Sequence, residues 1–220
     1  MNCFSARPTW HSNNGRRRCC SHGFGCFFWT FYTTILLFIL SGFIFWFIFL
    51  PTNVKFRVTE ASLMQFNLTD NSTLYYNLKL NITVRNPNKR IAVNYNRIKA
   101  TAYYKKRQLQ TINLTPFHQG HKNTSFLMPA FEGQQMVVLK GHYLSEYNTQ
   151  KSVGIFNNIN VDLDIRIRAK YGKLKGGSFR PPVISCGLKV PLISNNKSAN
   201  VFKVTRCKTG YFFADRDSTD

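Results

Sequence analysis

The sequence predicts a mainly β protein, in which a single N-terminal transmembrane helix precedes an antiparallel β-sandwich with room for one short helix. Two observations carry this prediction. Residues 24–50 contain no Asp, Glu, Lys, Arg or His. After Pro51 the apolar residues recur at every second position, which is typical of strands that are buried on one face only.

The uncharged segment at 24–50 is long enough to cross a bilayer. A helix of this length reaches about 40 Å, whereas the hydrocarbon layer is roughly 30 Å thick. The segment has no polar stripe of the kind that a core helix of a soluble domain shows. It also exceeds the roughly 7–15 residues of a signal-peptide core. Trp29 and Trp46 stand near its ends, where such rings settle at the headgroups. We expect a retained anchor rather than a cleaved signal peptide or a core helix.

The alternation that predicts strands is strictest at residues 76–85 and 161–168. Weaker runs occur at 54–58, 92–104, 136–139 and 186–192. Asn86-Pro87-Asn88 predicts a turn between two of these runs, because Pro presets φ and Asn tolerates the corner. About seven short strands at this spacing predict a β-sandwich. Residues 141–156 lack the alternation and predict a short helix across one end.

The charged residues are distributed unevenly between the predicted domains. These domains are a basic tail at 1–23, the anchor at 24–50, the sandwich at 51–208 and a flexible acidic tail at 209–220. The chain has 30 Lys and Arg against 9 Asp and Glu, a net charge of +21, and only four of the basic residues precede the anchor. A surface with this excess attracts anionic partners, namely phospholipid headgroups, acidic polysaccharides or nucleic acid.

Six N-x-S/T sequons follow the anchor and none precedes it: Asn67, Asn71, Asn81, Asn113, Asn123 and Asn196. Glycosylation of such sites takes place on a surface facing the secretory lumen. Arginines at 16–18 bias the preceding tail toward the cytosol. We therefore expect a cytosolic N-terminus and an extracellular C-terminal domain, which removes nucleic acid from the partners.

The cysteines divide into two groups under this topology. Cys19 and Cys20 adjoin the anchor on the cytosolic side and are candidates for S-palmitoylation, with unmodified thiols as the alternative. Cys186 and Cys207 are the cysteines of the outer domain. A disulfide between them would close a loop of about 20 residues and stabilise the fold by about 3 kcal/mol. A zinc pair is the alternative, but no C-x-x-C motif or nearby His supports it.

Asp162 and Asp164 form a D-x-D motif, which in a membrane-anchored chain suggests a luminal glycosyltransferase that holds a metal against a nucleotide diphosphate. The motif lies in the middle of an alternating run, so both carboxylates share a solvent face with Arg166 and Arg168. Metal ligands converge instead, without adjacent arginines. We expect a cross-strand charge ladder.

Other enzymatic signals are weak. His118 and His121 lie in a loop with no third metal ligand close in the sequence. The chain shows no G-x-S-x-G, P-loop or dinucleotide fingerprint, so we expect no enzyme and no cofactor.

Two basic clusters are candidates for anion binding. The first comprises Lys105, Lys106 and Arg107, and the second comprises Lys170, Lys173 and Lys175. A charge run is usually a solvated surface. Here the acids are too few to pair with the cations, so many cations stay available for anions.

Three elements of the chain, taken in order, resemble a known plant family. They are N-P-N-K-R at 86–90, P-F-H-Q-G-H-K-N-T at 116–124, and I-R-A-K-Y-G at 167–172, the last leading to Cys186 and Cys207. The chain resembles the harpin-induced-like and non-race-specific-disease-resistance-like proteins, which carry a group-two late-embryogenesis-abundant domain. The turn residues within these elements are expected to be structural rather than a binding site.

The resemblance implies an immunoglobulin- or fibronectin-III-like sandwich outside a plant plasma membrane, acting without catalysis in pathogen defence, the hypersensitive response or stress. We expect the outer domain to bind an acidic wall polysaccharide, an anionic lipid or a protein partner. The sequence is compatible with the formation of homo-oligomers. A luminal glycosyltransferase and a lipid-binding sandwich are the alternative functions.

Overall fold

The computed structural model describes residues 23–193 and 202–218. It divides into two compact units, Met1–Leu50 and Pro51–Asp220. Cys19, Cys20 and Asn196, which the sequence nominates as modification sites, lie outside the described residues.

The first unit contains helix α1, Gly23–Phe49. Its portion Phe27–Trp46 is long and apolar enough to cross a membrane, with a mean hydropathy of 1.9. The polar side chains do not interrupt this surface, because the hydroxyls of Thr30, Thr33, Thr34 and Ser41 donate to carbonyl oxygens of the preceding turn. Helix α1 is therefore a candidate membrane span.

The second unit is built from eleven described strands, helix α2 and one 3₁₀ turn. In chain order they are β1 Lys55–Leu68, β2 Thr73–Arg85, β3 Ile91–Tyr104, β4 Arg107–Leu114, β5 Phe117–Gln119, β6 Thr124–Leu127, β7 Ala130–Met136, α2 His142–Val153, β8 Ile155–Tyr171, β9 Leu174–Phe179, β10 Ile184–Pro191, β11 Thr205–Arg206 and the 3₁₀ turn Arg216–Ser218.

Two antiparallel sheets form a sandwich. The five-stranded sheet has the order β11-β1-β2-β6, with β7 also paired to β2. The six-stranded sheet has the order β10-β8-β3-β4, with β5 also paired to β3 and β9 to β8. Its longest ladder pairs β3 with β8, from Ile91 opposite Tyr171 to Tyr104 opposite Ile159. The predicted fold class, an N-terminal apolar helix followed by an antiparallel β-sandwich, is confirmed.

Large side chains fill the space between the sheets. Every second residue is buried along β2, and along β8 from Ile159 to Ala169, as the alternation predicted. At one end of the sandwich, the ring centroid of Phe66 lies 4.9 Å from that of Tyr104 and 4.5 Å from that of Phe156. Tyr147 of α2 packs on both phenylalanines.

Several strands at the sheet edges, namely β4 to β7, β9 and β11, are elements that the sequence did not predict. Strand β7 has one buried residue, Phe131, and β5 and β6 are only three and four residues long. Edge strands that bury few side chains carry no clear alternation. The weak run at 136–139 is mostly not a strand, since β7 ends at Met136. Helix α2 lies within the segment predicted to be helical.

A network of buried amides closes the end of the sandwich where the chain enters it. The side-chain NH₂ of Asn86 donates to the carbonyl oxygens of Ile91 and Gly120, at 2.8 and 3.0 Å. Its Oδ1 accepts from the backbone N–H and side chain of Asn88, at 3.1 and 3.0 Å. Asn88 in turn bonds both backbone groups of Thr52, each at 2.7 Å. One turn thus fixes three separate chain segments.

Gln119 extends this amide network into the core. Its side-chain NH₂ donates to the carbonyl oxygens of Val84 and Asn123, and its Oε1 accepts from the hydroxyl of Tyr95 at 3.1 Å. Burial raises the pKa of Tyr95 far above its ordinary value, so the hydroxyl keeps the proton that it donates. The Tyr95 ring stacks on Phe117 at 4.3 Å. Phe117, Gln119 and Asn123 belong to the second family-like element, and these contacts are internal.

A second polar cluster holds α2 against the opposite end. Lys105 Nζ donates to Glu146 Oε2 at 2.7 Å and to the carbonyl oxygen of Tyr143 at 2.9 Å. The other Glu146 oxygen accepts from the side chains of Gln150 and Asn158. This helix therefore docks through an ion pair and amides as well as through its buried Tyr147.

The C-terminal segment differs from the predicted flexible tail at 209–220. Phe212 is fully buried, with its ring centroid 5.8 Å from that of Phe56. Its backbone N–H donates to Asn53 Oδ1 at 3.0 Å, and that of Arg216 donates to the carbonyl oxygen of Arg180 at 2.7 Å. The expectation followed the polar composition, whereas the apolar Phe212 draws this segment onto the domain.

Replacing Asn86 with Ala should lower the free energy of unfolding by about 2–4 kcal/mol, because buried carbonyl groups would lose their donors. Pulse proteolysis of the full chain in neutral detergent across a urea series measures the change. Asn148→Ala, on the exposed face of α2, is the matched control and should stay within about 0.5 kcal/mol. An equally small effect of Asn86→Ala would contradict a stabilising role for the amide network.

Replacing Glu146 with Gln should destabilise the fold in a pH-dependent way. The hydrogen bond from Lys105 holds the pKa of Glu146 below its ordinary value. A lowered folded-state pKa stabilises the protein above the unfolded-state pKa of about 4.3, and this stabilisation is lost as the pH falls through the folded-state value. The deficit of Glu146→Gln should therefore be about 1–2 kcal/mol at neutral pH and shrink below about pH 4.

The same proteolysis assay, run from neutral pH to acid, measures this deficit. Glu132→Gln provides the control, since Glu132 is an exposed carboxylate of β7 with no ion pair among the described residues. A deficit that stays constant with pH would show that the charge of Glu146 is not what stabilises the helix.

Candidate functional site

The structure places the two predicted cationic clusters at opposite ends of the six-stranded sheet. Lys105 and Lys106 form the turn between β3 and β4, and Arg107 begins β4. Lys170 is the last residue but one of β8, the β8–β9 turn contains Lys173, and Lys175 lies on β9. The intervening ladder is about 40 Å long at roughly 3.3 Å per residue. The clusters are therefore separate surfaces.

Lys105 does not fit the prediction of a cation available for anions. Its side chain is only 4% exposed and is paired with Glu146. Its ammonium also lies 4.9 Å from the ring centroid of Tyr143. Residue spacing could not reveal this pairing, because Glu146 approaches from a helix that is distant in the sequence. Lys106 and Arg107 remain exposed.

The β8–β9 hairpin presents the second cluster to solvent. Lys170 and Lys175 lie directly opposite one another across the two strands. Lys173 occupies the turn beside Gly172, whose φ of 56° requires the left-handed region. Leu174 stands between two of these lysines and is 75% exposed. The hairpin therefore presents three cations and one exposed apolar side chain, with Leu174 and Lys175 on opposite faces of β9.

A third cationic surface lies on the outer face of the five-stranded sheet, and the sequence did not predict it. Arg57 of β1 lies opposite Arg206 of β11, and Lys55 lies opposite Arg85 of β2. We call these four residues the β1 cation cluster. Lys55, Arg57 and Arg85, with Thr83 and Thr124, line a concavity of about 370 Å³. Alternation alone puts Lys55 and Arg57 on one face, but only strand pairing adds the other two.

The D-x-D carboxylates face outward from the middle of β8, as predicted. Asp164 Oδ1 accepts from Arg216 Nη2 at 3.2 Å and lies across the ladder from Lys99. Asp162 lies opposite Thr101 on one side and Ser185 on the other. In the part of the chain that the structure describes, no group of three His, Cys, Asp or Glu could hold a metal ion. Asp164 therefore forms its ion pair with the C-terminal 3₁₀ turn, while the residue that faces it across the ladder is a lysine.

His118 and His121 are both exposed. The Nδ1 atom of His118 contacts the side-chain oxygen of Asn94, directly opposite on β3. This contact belongs to the sheet surface.

The predicted disulfide between Cys186 and Cys207 is confirmed. Their Cα atoms are 4.2 Å apart, and 21 positions separate them in the chain. Cys186 lies on β10 of the six-stranded sheet and is fully buried, whereas Cys207 directly follows β11 of the five-stranded sheet. The bond therefore joins the two layers. It also holds the segment that carries Arg206.

Five of the six sequons lie within the described residues. Four of their asparagines are exposed, namely Asn67, Asn71, Asn113 and Asn123. Asn81 is half-buried, and its NH₂ group lies 3.5 Å from Glu60 Oε2. A glycan on Asn81 would have to displace this contact, so the exposed four are the better acceptors.

Comparison of the sequence with known proteins identifies its family. Residues 81–186 match the sequence model described as late embryogenesis abundant protein, group LEA_2. NDR1/HIN1-like protein 10 of Arabidopsis thaliana is 37% identical over 203 residues, which cover 90% of this chain and 89% of the relative. NDR1/HIN1-like protein 3 of the same plant is 40% identical over 180 residues, covering 81% and 77%. The chain therefore belongs to the NDR1/HIN1-like family of late embryogenesis abundant proteins.

Proposed function

We propose that this protein is a non-enzymatic, single-pass plasma-membrane protein of plants that acts in pathogen defence, including the hypersensitive response, or in stress signalling. Its C-terminal domain faces outward and binds an anionic partner. Membership of the NDR1/HIN1-like family supports the defence or stress role. Helix α1 supports membrane anchoring.

The imbalance of charge is the observation that carries the binding proposal. All but four of the 30 Lys and Arg residues follow Leu50, where they meet 9 Asp and Glu. Even complete pairing would leave most of these cations without a carboxylate. Some carboxylates are moreover shared, since Arg180 and Arg216 both approach Asp217. The resulting field attracts anions over a Debye length of about 8 Å at physiological salt.

The β8–β9 hairpin suits an extended anionic surface. Its three lysines lie within six residues of the chain, on and beside the β8–β9 turn. Lysine is a mobile point charge that adapts to irregular anionic partners. An acidic wall polysaccharide, an anionic lipid surface or an acidic protein partner would each meet this requirement.

The same geometry speaks against the two alternative functions. The D-x-D motif of the glycosyltransferase hypothesis has Arg216 on one of its carboxylates. The lipid-binding hypothesis needs room between the sheets, where Phe66, Tyr104 and Phe156 are closely packed. Anionic partners are therefore expected on the surface.

Binding of the full chain to polygalacturonate or to anionic vesicles should weaken strongly as salt rises from about 0.1 M to about 1 M, since the Debye length falls from about 10 Å to about 3 Å. The chain is held in phosphatidylcholine nanodiscs, and binding is followed by interferometry. Lys173→Gln/Lys175→Gln should reduce binding more than Arg166→Gln/Arg168→Gln, which removes the same charge from the outer face of β8. Binding that does not change with salt would remove the electrostatic account.

Treatment of the protein from plant membranes with an N-glycosidase should increase its gel mobility. An outward-facing domain exposes at least four sequons to glycosylation. Replacing Asn67, Asn71, Asn113 and Asn123 with Gln should abolish most of the shift. The quadruple variant and untreated protein serve as controls. An enzyme-insensitive wild-type chain would contradict the proposed topology.

A further inference from the structure

The β1 cation cluster, Lys55, Arg57, Arg85 and Arg206, has the properties of a binding site rather than of an ordinary charged surface. Both of its cross-strand pairs oppose like charges, Arg57 with Arg206 and Lys55 with Arg85. Like charges directly opposite each other destabilise a sheet. Such an arrangement gains from a bound anion that lies between the opposing charges.

No carboxylate in the described residues forms an ion pair with this cluster. Along β1 the next acidic residue is Glu60, which lies past a bulge and opposite Asn81. The four cations therefore have no internal counter-ion in that part of the chain.

Arg85 is already fixed in position. Its Nη1 donates to the carbonyl oxygen of Lys122 and, at 2.9 Å, to Thr124 Oγ1. These bonds use one nitrogen of the guanidinium, which leaves donors on the other two nitrogens. Because Thr124 Oγ1 accepts from Arg85, its own hydrogen can be donated to a ligand. A pre-positioned donor group loses less entropy when it binds.

The size of the cluster and the spacing of its charges indicate which class of ligand it binds. Neighbouring strands are about 4.8 Å apart, so the four charges are concentrated on three adjacent strands instead of following a line. The concavity of about 370 Å³ holds more than a single inorganic ion. An extended uronate polymer spreads its charges along a line, whereas a phosphate ester concentrates two charges and three acceptor oxygens in one group. Arginine forks match that geometry.

From these observations we infer that the β1 cation cluster is a binding site for a phosphate monoester, carried either by a lipid headgroup or by a small soluble molecule. Arg57, Arg85 and Lys55 contact the phosphate oxygens, Thr83 and Thr124 supply hydroxyl groups, and Arg206 adds charge from β11. The inference rests on the proposed binding of anions and names one site and one ligand class for it.

The test uses the full chain in phosphatidylcholine nanodiscs and the variant Arg57→Gln/Arg206→Gln. Neither side chain has a hydrogen bond to lose in the described structure, so the variant should fold, and pulse proteolysis with disulfide mapping verifies this. Arg166→Gln/Arg168→Gln removes two cations from the other sheet and is the matched control. The probes are phosphatidylcholine vesicles with phosphatidic acid, glycerol phosphate as a competitor, and polygalacturonate.

We expect the first variant to bind phosphatidic acid vesicles about tenfold more weakly or worse, and the control to change by about twofold at most. Displacement by glycerol phosphate would show that the phosphate ester is sufficient, and vesicle binding without displacement would show that the lipid is required. Either result supports the site.

Three results would contradict the proposed phosphate site. Equal losses in both variants would leave only a diffuse charge effect, with the proposed anion binding intact. Loss of polygalacturonate binding alone would assign the cluster to a polysaccharide. Failure of the wild-type chain to bind any anionic probe would remove the proposed function itself.

Discussion

The domain depends most on the buried amides of Asn86, Asn88 and Gln119. A sandwich must satisfy the backbone groups at its ends, where the chain passes between strands and cannot use the ladder. Here three amide side chains do so for segments that are far apart in the sequence, from Thr52 to Asn123. Because each amide both donates and accepts, loss of one leaves several buried groups unpaired. The family-like elements at 86–90 and 116–124 contain these amides, so the role of the two elements in this domain is structural.

Because these stabilising contacts lie inside the domain, its surface residues can be charged. Few carboxylates are present, and several have structural contacts: Glu146 fixes α2 through Lys105, and Asp164 and Asp217 pair with Arg216 near the C-terminus. Seven of the other cations are grouped by the strands into the β8–β9 hairpin and the β1 cation cluster. One group consists of three lysines at a hairpin, and the other contains three arginines and a lysine beside a concavity. Two surfaces of different chemistry therefore exist on one basic domain.

The regularity of the main strands explains how much of the fold could be predicted. Strands β2 and β8 are buried on one face along most of their length, so their apolar residues alternate visibly. Strands β5 to β7 bury few side chains, so their apolar residues do not alternate with polar ones. Phe212 is a buried residue in a mostly polar segment, which also shows no periodic pattern of apolar residues. Among the candidate anion-binding residues, Lys170, Lys173 and Lys175 are close in the sequence, so their grouping at one hairpin could be predicted. Lys105 was misjudged because its partner comes from another element.

The sequence by itself determined the apolar helix, the β class, the cysteine pair and the one-sided sequons, because each of these depends on composition or on a short local period. Only the tertiary structure decided that Lys105 is buried against Glu146, that Asn86 and Gln119 share one network, and that Arg206 lies beside Arg57. The physical reason is that strand register and side-chain pairing join residues that are remote along the chain. Their energies depend on distances in space, which a linear pattern does not contain.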